Sequence, residues 1–201
     1  MRLEEIEQYL PTYLSESANK SLFENLKQFP YNIDKRFYSS SHLEDHIVFQ
    51  GDGFQDILVV DLPEEKIRKA PCMVLSNTCD IDQANQRLFS PRICYAPILR
   101  LERYHELLLN RKPQNEHRVN DHLSAIKRQE VSQIFYLPVG RSLEYDGIVF
   151  FDRLNNCDNK ALPRTDLSTR RLFSLSNYGL YVFLFKLSVH FTRIREGIDR
   201  S

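Results

Sequence analysis

Asn77-Thr78-Cys79-Asp80-Ile81-Asp82 is the densest run of chemically capable side chains in this sequence. It sets an amide, a hydroxyl, a thiol and two carboxylates directly after the apolar run Pro71–Ser76. Loops at the ends of buried strands are where rigid scaffolds usually place reactive groups. Cys79 could act as a thiolate nucleophile, and Asp80 as a general base or metal ligand. Lys69 or Arg87 would supply a cation beside them. The same residues also make an ordinary turn, with Thr78 and Asp80 capping it and Cys79 packed inward. The candidate catalytic residues are therefore Asp80, Cys79 and Lys69.

A second constellation is basic and aromatic. Arg100, Arg103, Arg111, Lys112, Arg118, Lys127 and Arg128 cluster with Tyr104 and several histidines. Residues 92–128 carry roughly four net positive charges and 160–201 about five, whereas 41–91 carries about five negative. Such a face can hold phosphates while a tyrosine stacks on unpaired bases. Arg87, Arg100, Arg103, Tyr104, Arg111 and Lys112 are the candidate nucleic-acid contacts. The alternative is a solvated helix face with Glu102, Glu106 and Glu116 as partners. His42 and His46 are four apart, but no third zinc ligand or HExxH pattern accompanies them. No metal site and no cofactor motif is read.

These groups need a scaffold. Residues 2–10 and 15–29 have helical spacing, with Ser15 as a cap and Leu22, Phe23, Leu26 and Phe29 as the apolar stripe. Residues 31–45 read as a polar linker. Short runs rich in Val, Ile and Leu predict strands at Asp56–Pro63, Pro71–Ser76, Arg92–Leu99, Gln133–Val139 and Asp146–Arg153. Residues 100–110 and Asn115–Val131 return to helical spacing, and 154–168 read as loop. Ser174–Arg195 is a long amphipathic helix, with Leu180, Phe183, Leu184, Leu187, His190, Phe191 and Ile194 as its stripe. Its surplus of aromatics suits packing against a second subunit.

Composition bounds the answer. The chain has 201 residues, 42% hydrophobic and 27% charged, which excludes wholesale disorder. Lys+Arg and Asp+Glu are both 27, which argues against polybasic wrapping of nucleic acid and leaves room for a local basic face. The acidic N-terminus does not read as a signal peptide, and no apolar run approaches the ~20 residues of a membrane span. The four cysteines form no CxxC pair, so they read as reduced thiols of a cytoplasmic protein without membrane association.

The strand pattern resembles a known family. Asp56–Asp61, a charged loop and Pro71–Asn77 (PCMVLSN) are similar to the opening of MazF/PemK-like proteins, which read strand, acidic-basic loop, RPxLVLSN. RICYAPIL looks like that family's third strand. QIFYLPV, DGIVFFDRL and Leu175-Ser176 before the closing helix resemble its last strands, its D-Q-[IL] turn and its C-terminal helix. The order holds over roughly residues 50–195. The resemblance implies an SH3-like barrel, a homodimer and a toxin endoribonuclease that cuts single-stranded RNA. Two departures stand out. The family's arginine before the strand-two proline is Ala70 here, preceded by Lys69, and its Thr or Ser after strand three falls near Leu99.

The expectation is an α+β fold: N-terminal helices and linker over 1–45, then a MazF/PemK-like barrel over 46–201. A helical insertion lies around 100–131 and a long helix closes the chain. The expected function is binding of RNA or another nucleic acid in a bacterial toxin–antitoxin or phage-defence module, without the family's usual ribonuclease site. An antitoxin or defence-system protein would be the partner. Two alternatives stand beside it: an active endoribonuclease with a site relocated to Asn77–Asp82, and a non-catalytic protein-interaction subunit.

Overall fold

Two prolines with no N–H to donate, Pro71 and Pro97, lie on adjacent strands near the centre of the molecule. The computed structural model describes residues 15–40, 46–85, 87–111, 115–162 and 164–192. Their strands are β1 (Gly53–Asp61), β2 (Lys66–Val74), β3 (Arg92–Arg100), β4 (Ile134–Leu137), β5 (Gly147–Phe150), β6 (Asn155–Asp158) and β7 (Arg171–Phe173). The helices are α1 (Glu16–Lys27), α2 (Leu101–Arg111), α3 (Glu116–Lys127), the single turn α4 (Leu167–Arg170) and α5 (Asn177–Thr192). The fold is α+β with one antiparallel seven-stranded sheet, ordered β4-β5-β3-β2-β1-β7, with β6 beside β3. The expected helix over 2–10 lies outside the described residues.

Strand periodicity explains how one sheet serves several cores. Alternate side chains of a strand point to opposite faces. Met73 and Leu75 join a core with Ala96, Ile98, Phe135, Val149 and Phe151, against Tyr178, Val182 and Phe183 of α5. Their neighbours Cys72 and Val74 enter another with Phe54, Val59, Ile93 and Tyr95. Ile134, Tyr136, Ile148 and Phe150 form a third with Leu101 and Ile126 of the helical insertion. Both faces of β4 and β5 are thus covered, so these strands read as continuous apolar runs rather than alternating ones.

The sheet curls. β6 pairs with the first half of β3, Arg92↔Asp158 through Tyr95↔Asn155. The Val60 N–H donates to Asn155 Oδ1 at 2.8 Å, and Tyr95 Oη donates to the Leu58 carbonyl at 2.6 Å. These side-chain bonds bring β6 to the free side of β1, and the ring β1-β2-β3-β6 closes around the second core.

Several local expectations change. β2 starts at Lys66, because the hairpin extends beyond the core and its outer residues KIRK are exposed. β6, sequence NNCD, was expected as loop; it has no apolar pattern and is recruited by the β3 edge. The stretch expected as linker puts Phe37 and Tyr38 into the main core with Leu22. The buried face of α5 is Tyr178, Gly179, Val182, Phe183 and Lys186. Of the expected stripe, Leu184 and Phe191 face solvent, while Ile194 lies outside the described residues. Ser15 caps α1 as expected, accepting from the Ala18 N–H at 3.3 Å.

Candidate functional site

The β2–β3 ladder runs Val74↔Tyr95, Met73↔Ala96, Cys72↔Pro97, and ends there. The Leu75 N–H donates to the Cys94 carbonyl, so alternate residues of β2 face β3, and the one beyond Met73 is Pro71, which has no N–H to donate. Beyond it only the opposite edge of β3 stays paired, with β5, Ile98↔Val149 through Arg100↔Gly147. The two strands part, and a groove of about 890 Å³ opens between Arg68–Pro71 of β2 and Ile98–Arg100 of β3. β3 runs straight into α2, so Arg103, Tyr104 and Leu107 follow Arg100 along the same wall.

The groove is basic. Arg68, Lys69, Arg100, Arg103 and Arg153 line it, against the carboxylates Asp56 and Glu144. Arg68 is engaged with Asp61 at 3.2 Å. Lys69 and Arg103 make no ion pair with a carboxylate among the described residues. The Arg100 guanidinium lies over the Tyr145 ring, 4.0 Å from its centroid. Ala70 and Leu99, the two positions where the resemblance expects catalytic groups, both line this groove. Neither has a side chain that can move a proton or bind a phosphate.

Tyr104 is less free than its exposed neighbours. Its ring meets Phe150 edge-on at 5.6 Å, and its hydroxyl lies 3.2 Å from His122 Nε2. Burial pushes its phenol pKa up. Asp56 sits in a β-bulge between Phe54 and Ile57 with φ 59°. Arg170 donates to the carbonyls of Gln55 and Asp56 at 3.3 and 3.1 Å and holds that bulge. Bulges beside sites re-aim side chains in this way.

The structure gathers Lys69, Arg100, Arg103 and Tyr104 from the expected set. Arg111 ends α2, one turn beyond Leu107 on the same helix face. Lys112 lies outside the described residues. Cys79, Asp80 and Arg87 do not line the groove. They form a separate turn after the opposite end of β2, where Arg87 bonds Asp80 Oδ1 at 2.6 Å.

That turn is made differently from its expected form. Asn77, not Thr78 or Asp80, starts it, its Oδ1 accepting from the Cys79 N–H at 2.9 Å. Thr78 Oγ1 accepts from the Gln50 N–H at 2.9 Å. Ile81 packs inward, 1% exposed, and Cys79 faces solvent. The Ile81 carbonyl is held by Asn159 and Arg164 at 2.8 and 3.3 Å. All four cysteines are free, and burial pushes the Cys72 thiol up to about 12.

Sequence reasoning missed Arg68, Arg153 and Tyr145. They reach the groove through strand pairing and a turn, and no local spacing announces that. Among the described residues no group of three or more His, Cys, Asp or Glu is placed to hold a metal ion. No described helix is long and apolar enough to cross a membrane. No protein-family model matches this chain, and no curated sequence matches it.

Proposed function

We propose that this chain is a divergent MazF/PemK-like barrel that binds single-stranded RNA, or another single-stranded nucleic acid, in the groove between β2 and β3. It does so without the family's usual ribonuclease site, in a bacterial toxin–antitoxin or phage-defence setting. One observation carries the reading: five cationic side chains line a single groove whose walls include Ala70 and Leu99. Cations hold the phosphate backbone, while the two positions expected to cleave it are inert. The curled antiparallel sheet followed by a closing helix is in keeping with the SH3-like part of the proposal. The apolar outer face of α5, with Phe185 51% and Phe191 58% exposed, suits a second subunit or a protein partner.

The test is anisotropy of a labelled single-stranded RNA titrated with the full chain at increasing salt, with a cleavage gel on the same mixtures. The expected result is intact RNA and binding that weakens steeply with salt, by about 0.7 log units per log salt for each phosphate contact. Salt-insensitive binding, or none, overturns it. Defined cuts abolished by Asp80→Ala or Cys79→Ala would instead establish the relocated nuclease.

A further inference from the structure

Arg100, Glu144 and Tyr145 line the β2–β3 groove and also a neighbouring hollow of about 570 Å³ that contains His105 and Lys127. They therefore stand on the ridge between the basic groove and a hollow of mixed charge, where Glu102, Glu144 and Asp146 face Arg100 and Lys127. On that ridge the guanidinium carbon of Arg100 lies over the Tyr145 ring, 4.0 Å from its centroid. One side of it is taken by the tyrosine. Arg100 as a residue is exposed, which leaves it surface for a second, planar partner.

The turn that carries the ridge is pinned on every side. Gly140 and Leu143 exchange two backbone hydrogen bonds at 3.0 Å, and the Ser142 N–H donates to the Leu172 carbonyl at 3.0 Å. Asp146 takes Tyr136 Oη at 2.9 Å, the Val139 N–H at 3.1 Å and Lys127 Nζ at 2.9 Å. Its own carbonyl accepts from the Leu101 N–H at 2.9 Å, tying the turn to the start of α2. Tyr145 thus has little freedom to leave its place.

We propose that the Arg100–Tyr145 pair is the stacking platform for one unpaired base of a single-stranded nucleic acid. This rests on the nucleic-acid reading of the groove. The base lies on the guanidinium while the neighbouring phosphate on the groove side sits beside Lys69 and Arg103. Three features favour a base over a phosphate at this spot. Arginine guanidinium planes stack on bases as well as on aromatic rings. The Glu144 carboxylate repels phosphate and can accept an N–H from a base edge. Tyr104, the aromatic that the sequence offers for this task, has its ring and hydroxyl engaged by Phe150 and His122. A duplex keeps its bases stacked inside, so the platform selects single strands.

The experiment compares a single-stranded oligoribonucleotide with an abasic oligomer of equal length, on the full chain and on Tyr145→Ala, Tyr145→Phe and Arg100→Lys. The wild type is expected to prefer the RNA. Tyr145→Ala and Arg100→Lys, which remove the ring or the plane but keep the charge, should weaken RNA binding roughly tenfold. Their salt slope and their affinity for the abasic oligomer should stay at the wild-type values, and Tyr145→Phe should bind RNA like wild type. Equal wild-type affinity for the two oligomers, or RNA affinity unchanged in both Tyr145→Ala and Arg100→Lys, overturns the platform and leaves a phosphate-binding groove. Failure of the wild type to bind either oligomer overturns the groove reading itself.

Discussion

Gln129 and Tyr136 exchange two hydrogen bonds. Gln129 Nε2 donates to the Tyr136 carbonyl at 2.7 Å, and the Tyr136 N–H donates to Gln129 Oε1 at 3.1 Å. Tyr136 lies on β4, the terminal strand of the sheet. A side-chain amide thus takes the place of a neighbouring strand, and Lys186 Nζ adds a bond to the same Oε1 at 2.9 Å. An open edge of this kind would otherwise invite pairing with another chain.

Gln129 also stands just past α3 with φ 62°, a position that ordinarily favours glycine. Gln129→Gly separates the two roles. If backbone strain dominated, glycine would stabilise the fold. The expected outcome is a loss of about 1–3 kcal/mol, because two buried peptide groups lose their partners. Urea titration measures it, and an unchanged or higher midpoint would contradict the edge-covering role.

Lys186 is 5% exposed and donates to Gln129 Oε1, to the Val131 carbonyl at 2.9 Å and to the Ile134 carbonyl. Burial pushes its ammonium down to about 7. Between that value and the ordinary 10.5, the unfolded chain holds a proton that the folded chain has released. Stability therefore rises with pH across that window, by at most about 1.4 kcal/mol per unit. Below pH 7 both states are protonated and that gain is gone. Urea midpoints at pH 7 and 9 should show the rise in wild type, and Lys186→Met should flatten it.

Gly179 on α5 lies against the backbone of Phe37. A Cβ there would meet the Phe37 carbonyl oxygen at 2.2 Å. Backbone cannot rotate aside as a side chain can, so Gly179→Ala must shift the helix off the core. The expected cost is about 1–3 kcal/mol despite alanine's better helix propensity. A melting temperature equal to wild type would show that the contact is looser than described.

Binding variants divide by location. Lys69→Ala and Arg103→Ala should each reduce the salt slope of RNA binding by about 0.7. Arg87→Ala should leave it unchanged, since Arg87 is committed to Asp80 in the turn beyond the other end of β2. A loss for Arg87→Ala equal to that for Arg103→Ala would mean that the ligand runs through the Asn77–Asp82 turn as well.

The strands that sequence reveals are those whose apolar runs serve two cores, such as IFYL and GIVF. The ones it hides, NNCD and RLF, are short and take their conformation from a neighbouring edge. For the site, Arg100, Arg103 and Tyr104 are legible because β3 continues into α2 without a break. Lys69 joins them only through the sheet, and Tyr145 only through a turn fixed by Asp146. The Asn77–Asp82 cluster misleads because the side chains that could do chemistry are the same ones that shape turns.

The parting of β2 and β3 follows from a covalent fact. Proline's ring nitrogen has no hydrogen under any condition, so Pro71 cannot extend the ladder to β3 when the cleft is empty. The single strand proposed to bind there would meet walls already separated, with no β2–β3 backbone bonds to break first. Association of the proposed ligand is then expected to be limited by diffusion and charge attraction rather than by an opening step, and to speed up as ionic strength falls.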